Sequence, residues 1–544
     1  MHMKFYETPA ERTIGHIVQD KAAFHGDRTF LFFKEEQYSY RELNEQSNRV
    51  ANALREMGVK KGDKIVTVLP NFPEYLLIWW GVVKLGAWHV VINNNYRGES
   101  LADVINRSDA KIAFVATGMF LDRFRSIQDN VPQIEKIIVA HRLTEGPPSK
   151  EEIDIHKFNS YALRDLMSAS IAPPKAEVFN CDVEGIEYTS GTTGPPKGAV
   201  LTHEYMVYFA EHKVMHMETA PHDIMYNCLP MCNLTGEVET CLAAFLADAQ
   251  FVLAEGFNPK TFWDDIKKYN CTEFVSMGGA FAEVAKEPRR LDDANNPLNK
   301  MYIIPLRVNF EKSCKERFGI EHMVEIYGST EAGIAAYRDL HKPVLGSAGK
   351  AHCDYEIKIF DEHDNEVPFG TEGEIVVRNI RPHTMFEEYY NMTDKTSYAK
   401  RGSWYHTEDI GKMDKEGNLY FMRRKADCIR VRGNFCSATE IERLICRNED
   451  IIECAAYGIR DEKRDEEEIM VAIRVRDRIT VECEDVLRGL EDDVPYFMIP
   501  RYIRFVNNFE KTPTMRIIKK SLINEGIVPG TWDRRKAGFK LKRS

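Results

Sequence analysis

The run Tyr188-Thr189-Ser190-Gly191-Thr192-Thr193-Gly194-Pro195-Pro196-Lys197-Gly198 packs four hydroxyls, three glycines and a lysine between apolar flanks. Glycines let backbone N–H groups approach an oxyanion, small hydroxyls add donors and the lysine supplies a mobile cation, so the guest this turn suits is a phosphate chain. Its spacing is not that of Walker A, which needs GxxxxGK followed by Ser or Thr. Loops rich in Ser, Thr, Gly and Pro are also ordinary surface connections; the ordered run through Lys197 sets this one apart. Farther along stand Glu331 and Asp409. A carboxylate can hold a hard cation or accept from both hydroxyls of a diol. Singly, each is more often a solvated surface acid.

Residues so far apart need a large scaffold. The chain has 544 residues, 43% apolar and 29% charged, which suits a globular protein of two or more bodies. Against 84 acidic side chains stand 73 basic ones, a net charge of −11, so nonspecific binding to nucleic acid or an anionic membrane is not expected. The twelve cysteines contain no CxxC pair and suggest neither a zinc framework nor a disulfide scaffold. The first residues carry no apolar stretch behind their charges, so no signal peptide is expected and the reading is a reduced, cytoplasmic protein. Tyr75 to Ile92 is nearly continuously apolar but carries Lys84, Gly86 and His89, which fits a buried helix and strand and not an integral membrane segment.

The elements alternate. Ser39 and Glu42 have capping-box spacing before a helix that Gly58 closes, Pro73 opens a second helix, and strand-like runs follow at Lys64 to Leu69, Ala87 to Ile92 and Lys111 to Val115. After residue 200 come a helix from His203, strands near Met225 to Leu229, Phe251 to Leu253 and Glu273 to Ser276, and helices near Glu237 to Leu246 and from Pro259. This order predicts an α/β fold of parallel sheets covered by helices. Tyr355 to Phe360 and Gly373 to Arg378 alternate like strands of a β-rich subdomain, about 345–423. Beyond Arg424 the pattern is a compact α+β unit with a basic tail, and Asp461 to Glu468 reads as an exposed charged turn.

The phosphate turn resembles the signature of the acyl-adenylate-forming superfamily, which includes acyl-CoA synthetases, luciferases and nonribosomal-peptide adenylation domains. Supporting stretches are Ser39 to Leu43, Tyr327-Gly328-Ser329-Thr330-Glu331, Gly373-Glu374-Ile375, Trp404 to Asp409, Arg424 to Gly433 and Glu440-Ile441-Glu442. Phe262 to Asp265, Cys314 to Gly319 and Tyr420 to Gly433 look most like the carnitine/crotonobetaine CoA ligase and fatty-acid-transport-protein branches.

The resemblance implies a large N-terminal domain, 1–423, and a small mobile C-terminal domain, 424–544, with the active site between them. It implies an AMP-forming acid:CoA ligase using ATP, Mg2+ and CoA: a carboxylic acid attacks the α-phosphorus, pyrophosphate leaves, and a thiol takes the acyl group. By resemblance Thr189, Ser190, Gly191, Thr192, Thr193, Gly194 and Lys197 hold the triphosphate, Thr330 meets the α-phosphate and Glu331 binds magnesium. Tyr327 flanks adenine, Asp409 and Arg424 hold the ribose, and Gly433 belongs to the region brought in for the thioester step. Asn233, Gly236 and Glu237 are the acyl-pocket candidates, Glu237 favouring a cationic or polar acyl group unless it faces solvent on a helix.

Four positions depart from the family pattern. The gate motif reads Leu229-Pro230-Met231-Cys232-Asn233 where an aromatic residue and histidine are usual; Glu408 replaces glycine; Ala426 occupies the hinge position; and Arg516 stands where a lysine bridges carboxylate and α-phosphate. A guanidinium keeps the charge but is bulkier and more directional than an ammonium. These departures keep two alternatives open: an adenylate-forming enzyme with a non-CoA acceptor, and a catalytically weakened nucleotide-binding homologue.

Overall fold

Strands that are apolar on both faces are stable only where helices cover both sides, and the inner strands of two seven-stranded sheets of the computed structural model are of this kind, whereas the edge strands Glu36–Ser39 and Asn159–Ala162 are polar. The structure describes residues 6–540 apart from 156, 190–195, 305, 307, 426–427, 432–433, 462–465, 477, 492, 495 and 513–515. One sheet runs in the order Asn159–Ala162, Lys136–Ala140, Ile112–Ala116, Lys64–Val68, Trp88–Val91, Val183–Thr189, Lys197–Thr202. All its pairings are parallel except the last, which is antiparallel and therefore needs only a short turn. The other runs His322–Val324, Lys300–Ile304, Glu273–Met277, Ile224–Asn227, Gln250–Leu253, Thr29–Phe33, Glu36–Ser39, again with one antiparallel pair at its edge.

The helices between them begin where the sequence signals placed them. Ser39 and Glu42 form a reciprocal capping box on the helix Tyr40–Glu56, and Pro73 precedes the helix Glu74–Val83. Every residue of that second helix is buried, Trp79 and Trp80 completely, which accounts for its apolar run without a membrane. Among the described residues no helix is long and apolar enough to cross a bilayer.

Antiparallel structure begins earlier than residue 345. A three-stranded sheet of Ile326–Ser329, Gly333–Tyr337 and Lys350–Ala351 precedes the four-stranded sheet of Tyr355–Phe360, Gly373–Asn379, Tyr405–Met413 and Leu419–Arg424. The separate C-terminal domain has a two-stranded ribbon and a four-stranded sheet, with apolar clusters of its own around Ile441, Val471 and Ile503 and around Tyr457 and Met470.

Two local expectations change. The helix anticipated near Glu237 is a π-helix, Thr235–Leu242, that tightens to an α-helix at Ala243–Leu246; widened turns of this kind concentrate at functional sites. The charged run 461–468 is not only a turn, because the strands Ile451–Asp461 and Glu466–Val475 extend into it from both sides.

Burial of carboxyls gives the fold a pH signature. Glu239, on the π-helix, is 3% exposed with one oxygen lacking a hydrogen bond among the described residues; burial raises its pKa to about 7, despite Thr235 and the charge of Lys213. A carboxyl raised on folding binds a proton in the native state that the unfolded chain has already released. Stability is therefore full below the unfolded pKa near 4.5 and declines as pH rises toward 7. Glu239→Gln removes that decline: in urea unfolding, the variant gains on the parent between about pH 5 and pH 8, by roughly 2–3 kcal/mol at the upper end.

Candidate active site

The antiparallel edge pair sets Thr189 opposite Lys197, with the Thr189 hydroxyl donating to the Lys197 carbonyl at 3.3 Å. Ser190, Gly191, Thr192, Thr193 and Gly194, the turn itself, lie outside the described residues. From the turn's far end the Lys197 ammonium sits 4.9 Å from the centroid of the Tyr389 ring, a cation–π contact. Tyr389 is held there by backbone pairing: Tyr390 donates its amide to the Gly198 carbonyl and Val200 to that of Glu388. The Tyr389 hydroxyl donates to Glu331 Oε1 at 2.9 Å. Burial, then the Glu331 charge, push that phenol far up, so it remains a donor. One aromatic ring thus joins the phosphate turn to the carboxylate expected to hold a metal.

Glu331 belongs to the hairpin between Ile326–Ser329 and Gly333–Tyr337. This turn can close because Gly333 adopts φ +66° and a Cβ on Gly328 would lie 2.3 Å from the Gly333 carbonyl oxygen. The hairpin presents Tyr327, Thr330 and Glu331 together. The Thr330 carbonyl accepts from Tyr205 at 2.9 Å, fixing the turn to the helix His203–Met217 that follows the phosphate strand.

On its other side the hairpin meets Asp409. The Tyr327 hydroxyl donates to Asp409 Oδ2 at 2.9 Å, and the Tyr327 ring stacks at 29° on Phe421. Asp409 and Arg424 are cross-strand partners, with Arg424 Nε 3.4 Å from Asp409 Oδ1. That oxygen is buried and makes no hydrogen bond among the described residues, so it is an acceptor with capacity to spare. Burial raises the Asp409 pKa, while the charges of Arg424 and Arg516 and the Tyr327 hydroxyl oppose the rise. Arg516 itself is exposed; its carbonyl accepts from the Thr512 amide at 2.7 Å and its amide donates to the Thr512 hydroxyl at 3.1 Å. The charge of Arg516 reaches Asp409. Gly433 and Ala426 lie outside the described residues.

Next to Asp409, Glu408 has φ +58°. This is the left-handed region in which a Cβ crowds the backbone, so the family's glycine reflects geometry and the glutamate strains it. The side chain is exposed, and its amide donates to Glu374 at 3.1 Å.

The gate segment is clamped by Asn71, whose amide donates to the carbonyls of Leu229 and Ala254 at 2.9 and 3.0 Å while its oxygen accepts from the Met231 amide at 2.8 Å. Gly236 is obligatory, because a Cβ there would lie 2.5 Å from the Pro230 carbonyl oxygen. Asn233 is half-buried at the start of the π-helix, its carbonyl accepting from the Gly236 and Glu237 amides. Glu237 does not face solvent: it is 1% exposed, accepts from the Tyr75 hydroxyl at 2.6 Å and lies 3.4 Å from His89, which burial keeps uncharged. Burial and the neighbouring Glu184 and Glu187 raise the Glu237 pKa strongly, which favours the protonated acid.

Thr189, Lys197, Thr330 and Glu331 therefore share one face of the site with Tyr389, and Tyr327, Asp409, Arg424 and Arg516 share the other. Asn233, Gly236 and Glu237 form a third group, joined to the first through Tyr205, which feels the charges of both Glu331 and Glu239. Tyr205, Tyr389 and Asn71 were absent from the sequence reading. The adjacent aromatics Tyr389 and Tyr390 carried no spacing that distinguishes a site from a core.

This arrangement can bind a polyanion at one end and a diol at the other. The chain is 29% identical over 513 residues to the crotonobetaine/carnitine–CoA ligase of Salmonella typhi, covering 92% of this chain and 97% of that protein. Among solved structures, the anthranilate CoA ligase AuaEII in complex with anthranoyl-AMP superposes with a TM-score of 0.84 at 23% identity, over 96% of this chain and 98% of the other. ATP-bound MatB from Rhodopseudomonas palustris superposes at 0.81 and 21% identity, over 94% and 98%. The AMP-binding enzyme C-terminal domain matches residues 440–516, and the AMP-binding enzyme family itself matches residues 18–390, the greater part of the chain, so this protein belongs to the AMP-binding enzymes.

Proposed function

We propose that this chain is an AMP-forming acid:CoA ligase. A carboxylate oxygen attacks the α-phosphorus of ATP, the bond to pyrophosphate breaks, and the acyl-adenylate forms. The sulfur of CoA then attacks the acyl carbon and AMP departs. The observation that carries this reading is the Ile326–Tyr337 hairpin, which links Glu331 to Lys197 through Tyr389 and sets Tyr327 against Asp409. Phosphoryl transfer depends on position and charge neutralisation more than on covalent chemistry from the protein, and these residues supply both.

In this reading Lys197 and Thr189 hold the phosphate chain and Thr330 orients the α-phosphate. The spare Oδ1 of Asp409 accepts a ribose hydroxyl, with Arg424 keeping the carboxyl ionised. Glu331 retains acceptor capacity beyond its bond to Tyr389, and one carboxylate plus substrate phosphates is the donor set that Mg2+ takes. When bound, that ion would offset charge on the departing pyrophosphate. Arg516 takes the place of a bridging lysine between carboxylate and phosphate. The relatives named for crotonobetaine and carnitine make trimethylammonium acids the first substrates to try.

The test is incubation with ATP, Mg2+ and a panel of acids, with and without CoA, and identification of products by mass. Acyl-CoA and AMP are expected; an amide or carrier-bound product, or no ATP binding by titration calorimetry, would replace this reading with one of its alternatives. Lys197→Ala and Asp409→Ala should each lower acid-dependent AMP formation by about 100-fold, roughly 2.7 kcal/mol of barrier; parental turnover in both variants would refute the assignment. Arg516→Lys should raise the rate of acid-dependent pyrophosphate release, and a rate unchanged or reduced would count against a bridging role. Glu408→Gly should relieve left-handed strain and raise unfolding stability by about 1 kcal/mol in a denaturant titration.

A further inference from the structure

The feature that the ligase activity leaves unused is a buried cluster of three histidines. His212 and His216 stand one turn apart on the helix His203–Met217, so they share a face. His352 follows the short strand Lys350–Ala351, in the turn leading to Tyr355–Phe360. One ring nitrogen from each lies within 4.8 Å of the other two. Their exposures are 7%, 8% and 5%, and among the described residues His212 Nδ1 and His216 Nε2 have no hydrogen-bond partner. Each orphaned buried nitrogen costs about 1–3 kcal/mol relative to one that is satisfied. Two in one cluster call for a ligand.

We propose that His212, His216 and His352 bind a zinc ion that staples this helix to the turn after Lys350–Ala351. Three imidazoles are the donor set of Zn2+ and not of Mg2+ or Ca2+, which want oxygen. Burial holds all three rings uncharged, the form that ligates. Tetrahedral zinc brings ligand nitrogens to about 3.4 Å from one another, so closure from separations within 4.8 Å is a matter of at most about 1.4 Å, within reach of ring rotation. His352 has an orienting partner. Its Nδ1 is 3.0 Å from the Tyr208 hydroxyl, which donates onward to Asp354 at 3.0 Å. A metal at Nε2 would fix the proton on Nδ1, which would then donate to the Tyr208 oxygen and displace the hydrogen bond that Nδ1 accepts from the Asp354 amide at 3.2 Å.

The surrounding charges permit a cation. Arg12 and Arg381 are the positive groups whose charges reach His212. Arg12 is paired with Glu204 and Glu211, and Arg381 with Glu204. With Asp354 added, three carboxylates face two guanidiniums. The site is independent of the ligase reading, since neither its ligands nor its partners belong to the nucleotide face. It lies about two helical turns beyond Tyr205, the residue that holds Thr330, so the metal would brace the far end of the same helix.

The experiment is metal analysis of full-length protein grown with zinc, and titration of chelator-stripped protein with Co2+ followed by visible absorption. About one zinc per chain, a ligand-field band on cobalt binding, and a melting temperature that falls on chelation are expected. His212→Gln and His216→Gln should each abolish the band and reduce bound zinc at least about tenfold. Should those variants fail to fold, X-ray absorption of the zinc-loaded parent decides: three nitrogen neighbours at about 2.0 Å support the site. A parent that takes up neither metal, a zinc shell of oxygen alone, or binding unchanged in both folded variants would overturn it.

Discussion

A carboxylate can accept from two hydroxyls at once only while it is ionised, and Asp409 lies where burial opposes ionisation. Arg424, Tyr327 and Arg516 work against that opposition. Arg424 faces it across the sheet because the strands Tyr405–Met413 and Leu419–Arg424 pair in that register. Tyr327 reaches it because the two glycines let the hairpin turn within a few residues. A shift of one residue in either register would turn Arg424 or Asp409 to the opposite face of the sheet, and the buried acid would lose its counter-charge. The antiparallel β structure exists at this point of an otherwise parallel α/β protein to fix that register.

Much of this was legible in the sequence where one short-range rule decided the outcome. The capping box at Ser39 and Glu42, the proline at the start of Glu74–Val83, and the alternation of helix and strand through residue 276 all depend on local chemistry, and the structure follows them. Resemblance supplied the residues of the nucleotide face, and the fold brings Lys197, Glu331, Tyr327, Asp409 and Arg424 together from segments far apart in sequence. Periodicity could not show that the segment after Gly236 widens into a π-helix, because α and π turns place apolar residues at nearly the same spacing. Nor could it show that Glu237 is enclosed: the Tyr75 hydroxyl that takes it up comes from a helix 162 residues earlier.

The residues that escaped notice share a physical reason. Tyr389, Tyr205 and Asn71 each act by bridging two segments, and a bridge is visible only when both ends are in place. Tyr389 links the ammonium of Lys197 to the carboxylate of Glu331; alone in the sequence it is one of 23 tyrosines. Asn71 satisfies three backbone groups of two strand ends at once, which makes it a clamp in three dimensions and an unremarked polar residue in one. Glu408 was noticed for its charge, whereas the structure finds its significance in backbone geometry.

The balance at Asp409 also ties the nucleotide face to the C-terminal domain. Burial and Glu331 favour the protonated acid; Arg424, at the end of the strand Leu419–Arg424, and Arg516, in the C-terminal domain, favour the carboxylate. One of the two opposing cations is therefore carried by a separately packed body with its own apolar core. Movement of that body would withdraw the Arg516 charge and leave Asp409 dependent on Arg424 and Tyr327. A ribose held by an ionised acid would then be released more readily as the acid took up a proton. On the proposed reading, in which Asp409 holds the ribose and the second domain moves between the steps, a clasp whose charge depends on the position of that domain would couple retention of the nucleotide to the stage of the reaction, without any contact made for that purpose alone.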